Sequence, residues 1–260
     1  MDGALKGADS ANGMDRYFDN LFCVLERVRK TQWEGMEEAA RLICGTVKAG
    51  GDVFAFGCSH AGLLALELYY RTGGMALINP IKAPGLCLDV DPATFTSQIE
   101  RLPEYGRLIC DNNPIKAGDC VIVHSVSGRN TVTVDFALRC REKGAKLIAL
   151  TSLEAGKHNP SRHPSGKLLC DLGDVVIDNC GCVGDGSVQL EGLKEKVGPT
   201  STAVGAAILN AVMVRSVELM MQEGLLPPVF MSANVEGGDA HNEKMLEKYK
   251  SHIYYMGHRR

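Results

Sequence analysis

Over residues 14–48 apolar side chains recur every three or four positions, and beyond residue 50 they gather into short unbroken runs. The first period belongs to amphipathic helices and the second to strands covered on both faces. Tyr17, Leu21, Val24, Leu25 and Val28 make one helical stripe, and Met36, Ala39, Ala40, Ile43 and Val47 a second. Asp15 and Thr31 are the expected N-caps and Gly50-Gly51 the stop. Runs at 53–57, 76–81, 120–123, 146–152 and 175–178 predict strands, with 86–89 a weaker one. Helical patterns fill the gaps: one from the loop after residue 57 to about Arg71, a short one around 96–105, and one over 132–143. The longest spans 200–223, starts just after Pro199, is apolar on most sides and stops before Pro227-Pro228. A charged helix follows it.

Strand, helix and strand at this spacing predict right-handed crossovers and a doubly wound, parallel five-stranded α/β sheet flanked by helices. Residues 1–13 are small and polar and predict a flexible N-terminus, residues 14–226 a single α/β domain, and residues 227–260 a C-terminal tail. The 200–223 helix and the helices before Gly50 carry more apolar surface than one sheet face covers, which predicts a homodimer or homotetramer.

Composition narrows the function. Hydrophobic residues make up 45% of 260 and the formal net charge is -3, so there is no basic footprint for nucleic acid or an anionic membrane. No stretch reads as the roughly 20 apolar residues of a membrane span, and a cytoplasmic location is expected. The ten cysteines are scattered through apolar runs and read as buried thiols. Cys180-Gly181-Cys182 lacks the spacing of a structural zinc site, and no metal or organic cofactor is expected.

The chemistry gathers at strand ends. After the 120–123 run comes Ser125-Val126-Ser127-Gly128-Arg129-Asn130-Thr131. Hydroxyls, a glycine and a helix start are what a bound oxyanion needs: donors, close backbone approach and uncommitted N–H groups. The same residues also suit a plain strand-to-helix turn with a capping serine. Cys58-Ser59-His60-Ala61-Gly62 is a second such junction and Gly198-Pro199-Thr200-Ser201-Thr202 a third, so three helix N-termini stand to converge on one anion at the carboxyl ends of the strands.

Ser125-Val126-Ser127-Gly128-Arg129-Asn130 resembles the phosphosugar loop of the sugar isomerase (SIS) domain family, and Phe56-Gly57-Cys58-Ser59-His60 its first loop. Residues 67–74, Asn79-Pro80, 198–202 and 231–234 resemble a bacterial branch of that family often labelled phosphoheptose isomerase. The first loop is shorter than in true phosphoheptose isomerases, and their metal-binding histidine has no clear counterpart. The resemblance implies a sugar phosphate or similar anionic sugar as ligand, and aldose–ketose isomerisation through an enediol without organic cofactor. Lyase, etherase or deaminase chemistry, a sulfonated sugar, and a non-catalytic sensor are the alternatives it leaves. Ser59, Ser125, Ser127, Gly128, Arg129, Asn130, Thr131, Thr200, Ser201 and Thr202 are then the substrate-binding candidates.

Isomerisation needs one group to move a proton between C1 and C2 and another to open the ring. Glu67 is the first candidate base: it follows His60 by seven residues, two helical turns, so the two share a face, although Arg71 at i+4 suits it as a surface partner. His60 is the candidate for ring opening. Glu191 and His241 complete the catalytic candidates, the latter from the tail and able to serve a neighbouring subunit.

Overall fold

The computed structural model describes residues 12–257. The N-terminal segment expected to be flexible lies, for residues 1–11, outside the described residues. Asn12 and Gly13 belong to the first helix, α1 (Gly13–Thr31), whose N-cap is Asn12: its Oδ1 accepts from the amides of Met14 and Asp15. Asp15 therefore sits in the first turn, and Thr31 ends α1, donating its hydroxyl to the Arg27 carbonyl, instead of capping α2 (Trp33–Lys48).

Five strands form one parallel sheet: β1 (Val53–Gly57), β2 (Ile78–Pro80), β3 (Cys120–His124), β4 (Lys146–Thr151) and β5 (Val175–Asp178), in the order β2-β1-β3-β4-β5. Strand order reverses between β1 and β3, so the switch point, where α/β sheets bind ligands, lies between those two carboxyl ends. In the β1–β3 register Gly57 faces His124. All five residues of β1 and of β3 are buried, as a sheet covered on both faces requires.

One face is covered by α1, α2, α3 (Gly62–Leu68) and α8 (Ser201–Gln222), packing Ile43, Leu64, Ile122, Leu150 and Ile208 into one core. The other is covered by α5 (Tyr105–Asp111) and α6 (Thr131–Glu142), which with Phe56, Val123, Phe136 and Leu147 form a second core. The short helices α4 (Thr94–Ile99) and α7 (Leu153–His158) flank the carboxyl ends. A hairpin of β6 (Gly186–Val188) and β7 (Val197–Pro199) precedes α8, and α9 (Gly238–Lys248) follows it. The tail beyond α9 is strapped to the opposite end of the sheet. There Asp52 accepts hydrogen bonds from Lys116, His252 (2.6 Å) and Tyr254 (2.7 Å).

Three sequence expectations are corrected. The helix after β1 ends at Leu68 rather than Arg71, because Tyr69 is extended and Tyr70 takes a left-handed φ of 46°. Residues 86–89 form turns rather than a strand, and the helix expected at 96–105 splits into α4 and α5 around Glu104, whose φ of 66° no helix continues through. By length and composition α8 is long and apolar enough to cross a membrane, but about half of its apolar stretch is buried inside the fold, where α8 packs on α2 and α3.

Candidate functional site

At the carboxyl end of β1 the chain turns at once. A Cβ on Gly57 would lie 2.5 Å from the Ala61 carbonyl oxygen and 2.6 Å from its carbon, so only glycine lets the first loop fold back so tightly. The same carbonyl accepts a hydrogen bond from Nδ1 of His124 (3.2 Å) across the strand pair, which fixes the proton on Nδ1 and leaves Nε2 an acceptor. Nε2 is buried without a partner among the described residues, and burial pushes the imidazole down to about 4, outweighing the Ala61 bond and the nearby Asp185 carboxylate. His124 is thus a neutral strut joining the end of β3 to the first loop.

The second junction follows directly. Ser125 accepts from the Gly128 amide (3.2 Å), Gly128 adopts φ 61°, and the loop is backed by Thr151, whose hydroxyl donates to the Val126 carbonyl (3.2 Å), and by Leu169, whose amide donates to the Gly128 carbonyl (2.9 Å). No serine caps the following helix. The N-cap position of α6 is Asn130, and its side chain bonds elsewhere, leaving that helix start without a side-chain cap. Of the two readings of this motif, the capping serine falls away. Ser127 is half-buried, and Thr131 is buried with its hydroxyl directed to the Arg162 carbonyl (3.4 Å).

The two junctions meet at a residue the sequence reading passed over. Glu100, one residue beyond α4, accepts from Ser59 Oγ on one carboxylate oxygen and from Asn130 Nδ2 on the other, both at 2.5 Å, and its backbone carbonyl accepts from the Val132 amide. Arg162, on the loop between α7 and β5, donates to Asn130 Oδ1 (2.8 Å), while Arg129 donates through Nη1 to Asn159 (3.2 Å). Ser59, the Glu100 carboxylate, Asn130 and the Arg162 guanidinium are therefore joined in one hydrogen-bonded chain across the two junctions. Nothing in the local sequence marks Glu100, which lies in a segment without clear periodicity.

The expected catalytic residues stand outside the hydrogen bonds to the Glu100 carboxylate. Glu67 is bound by Arg71 and by Asn210 (3.1 Å) of α8. Both partners engage the same carboxylate oxygen, Oε1. His60 is exposed on the 3-10 turn that opens α3. Glu191 is exposed in the connection between β6 and β7. His241 lies on α9, its Nε2 3.1 Å from the Val229 carbonyl. The third hydroxyl cluster is closed from within: Asp185, at φ 64°, accepts from the amides of Thr200 (3.1 Å) and Ser201 (2.9 Å) and from Ser201 Oγ (2.5 Å). Two helix starts therefore face the switch point, and the third, with Thr202 in the first turn of α8, is occupied by the chain's own carboxylate.

The doubly wound α/β sheet thus carries two hydroxyl-bearing junctions at its switch point. The chain belongs to the SIS domain family, whose model matches residues 16–152. It is 42% identical over 243 residues to a UPF0309 protein of Shouchella clausii, covering 94% of this chain and 99% of the relative. It is 37% identical over 241 residues to a UPF0309 protein of Streptomyces coelicolor, covering 92% and 96%. In fold it is similar to the phosphoheptose isomerase of Francisella tularensis (TM-score 0.51, 14% identity, 80% of this chain and 100% of that one). It is likewise similar to the phosphoheptose isomerase of Neisseria gonorrhoeae (TM-score 0.50, 16% identity, 78% and 95%).

Proposed function

We propose that this protein binds a sugar phosphate at the β1/β3 switch point and interconverts its aldose and ketose forms, with Glu100 moving the proton. The observation that carries the reading is the Glu100 carboxylate, held at 2.5 Å by Ser59 of the first junction and Asn130 of the second. A phosphate seated over the start of α6, which has no side-chain cap, gains the helix dipole and the hydroxyls of Ser125 and Ser127. The sugar then extends toward Ser59 and Glu100. A carboxylate offers about four lone-pair sites, so Glu100 holds its two donors and still has capacity to take a proton.

In the open-chain sugar Glu100 removes the C2 proton of the aldose and the electron pair forms the enediolate. Delivering that proton to C1, while a second proton passes from O2 to O1, completes the ketose. His60, exposed beside Ser59, is the proposed group for ring opening. Glu67, engaged by Arg71 and Asn210, is the second choice of base, and Glu191 and His241 rank behind it.

Isomerisation run in D₂O tests the mechanism. An enediol route exchanges part of the migrating hydrogen with solvent, whereas direct hydride transfer carries it intact, so a ketose product free of deuterium would exclude the enediol. A protein that binds sugar phosphates with no turnover would instead be a sensor.

A further inference from the structure

The loop joining α7 to β5 carries Ser161-Arg162-His163-Pro164-Ser165. It is docked on the second junction at several points. The Arg162 amide donates to the Arg129 carbonyl (2.9 Å), the Arg162 carbonyl accepts from the Thr131 hydroxyl (3.4 Å), and the guanidinium donates through Nη1 to Asn130 (2.8 Å). Asn130 in turn donates to Glu100. Arg162 therefore stands at the start of α6, against the residues assigned to the anion, with one of its five N–H groups spent on Asn130.

The next residue is anchored separately. His163 Nε2 donates to Asp135 Oδ1 (2.9 Å), and Asp135, buried one turn into α6 from Thr131, accepts the Glu104 amide on its other oxygen (2.8 Å). Nδ1 of His163 accepts from the Ser165 amide (3.1 Å) and lies 2.7 Å from its hydroxyl. The ring is thus locked between a buried carboxylate of α6 and its own loop. The lock lies beside an arginine that has two other arginines and one carboxylate near it. Partial desolvation, then Arg129 and Arg101, hold the Arg162 guanidinium below its ordinary range, and Glu100 opposes them. A bound anion relieves that imbalance.

We infer that Arg162 is a ligand-contacting cation of this site, meeting a dianionic phosphate group from the loop side, and that His163, locked to Asp135, is the residue that positions it. The inference rests on the proposed sugar-phosphate reading and adds to it a charge-reading arm outside the hydroxyl loop. Loss of a charged hydrogen bond predicts that Arg162→Gln weakens phosphate binding about 10- to 100-fold. Arg162→Lys keeps the charge without the planar fork and falls between. His163→Ala weakens binding through Arg162 alone, so in an Arg162→Gln background it has no further effect. His163→Gln retains an N–H for Asp135 and restores part of the loss.

The test is titration of the whole protein with inorganic phosphate at pH 7.5 and low salt, followed by NMR or calorimetry, with circular dichroism to verify that each variant is folded. The double-mutant cycle separates positioning from mere support of the loop, because independent effects add and a positioning effect vanishes with Arg162. Wild-type affinity in both Arg162→Gln and Arg162→Lys overturns the inference, as does a His163→Ala loss that persists undiminished without Arg162. If Ser125→Ala, Ser127→Ala abolishes phosphate binding while the Arg162 variants bind normally, the functional reading stands and this inference alone falls. A wild-type protein that ignores phosphate removes both.

Discussion

Acid should loosen this protein through His124, by an amount that follows from its burial. The imidazole is held at about 4 against an ordinary 6.5, chiefly by burial, so between those values the unfolded chain binds a proton that the folded chain refuses. The stabilisation is complete above pH 6.5 and is lost as pH falls toward 4. At about 1.36 kcal/mol per pH unit the whole effect is worth about 3 kcal/mol, and about 2 kcal/mol of it is gone by pH 5. For a chain of this size that corresponds to a fall of about 4–8 °C in Tm. The assay is urea unfolding at pH 7, 6 and 5 of the wild type and of His124→Gln, which keeps a donor for the Ala61 carbonyl but does not titrate. Both proteins share every other acid-sensitive group, so the difference between their pH slopes isolates His124. Wild type should lose about 2 kcal/mol more than the variant between pH 7 and pH 5. Parallel pH profiles would show that the imidazole is not held neutral in the fold.

Glu100→Gln should keep phosphosugar affinity within a few-fold and lower turnover by about 10²–10⁴-fold, whereas Glu67→Gln should leave turnover nearly intact; steady-state isomerase kinetics separate them, and the reverse pattern would return the base to Glu67. Gly57→Ala places a methyl against the Ala61 backbone and should cost about 1–3 kcal/mol in chemical denaturation while impairing ligand binding through the displaced first loop; a neutral effect would mean the turn has slack. Met14, Phe18, Phe22, Trp33 and Val214 are large apolar side chains left exposed on α1, α2 and α8, and sedimentation at micromolar concentration should find a dimer or tetramer; monomer alone would contradict that expectation.

The sheet was legible because its strands are short unbroken apolar runs, and because crossovers between parallel strands allow few arrangements. The hydroxyl junctions were legible for the same reason: Ser59 and the Ser125–Thr131 loop begin where apolar runs stop. Glu100 and Arg162 were not, since each lies in an irregular segment and meets Asn130, a partner 30 or 32 residues away that no local period connects. Glu67 shows what spacing alone leaves out: His60 stands on a 3-10 turn before α3, and the partner Asn210 comes from α8, 143 residues away. Asp185 shows a further limit. The Gly198–Thr202 cluster reads as an open anion site, and only the fold brings in the Asp185 carboxylate, from just before β6, to fill it.

The central claim is that the Ser125–Thr131 loop and the first junction together hold the phosphate of a sugar phosphate. Calorimetric titration of the wild type and of Ser125→Ala, Ser127→Ala, against a panel of aldose and ketose phosphates with matching sulfosugars, tests it most directly. The account predicts saturable binding of at least one phosphate by the wild type, tighter than its sulfonate counterpart, and loss of that binding in a folded double variant, at about 1.5–3 kcal/mol for each hydroxyl contact to the charged group. Equal binding by the double variant, or a wild type indifferent to the whole panel, would contradict it.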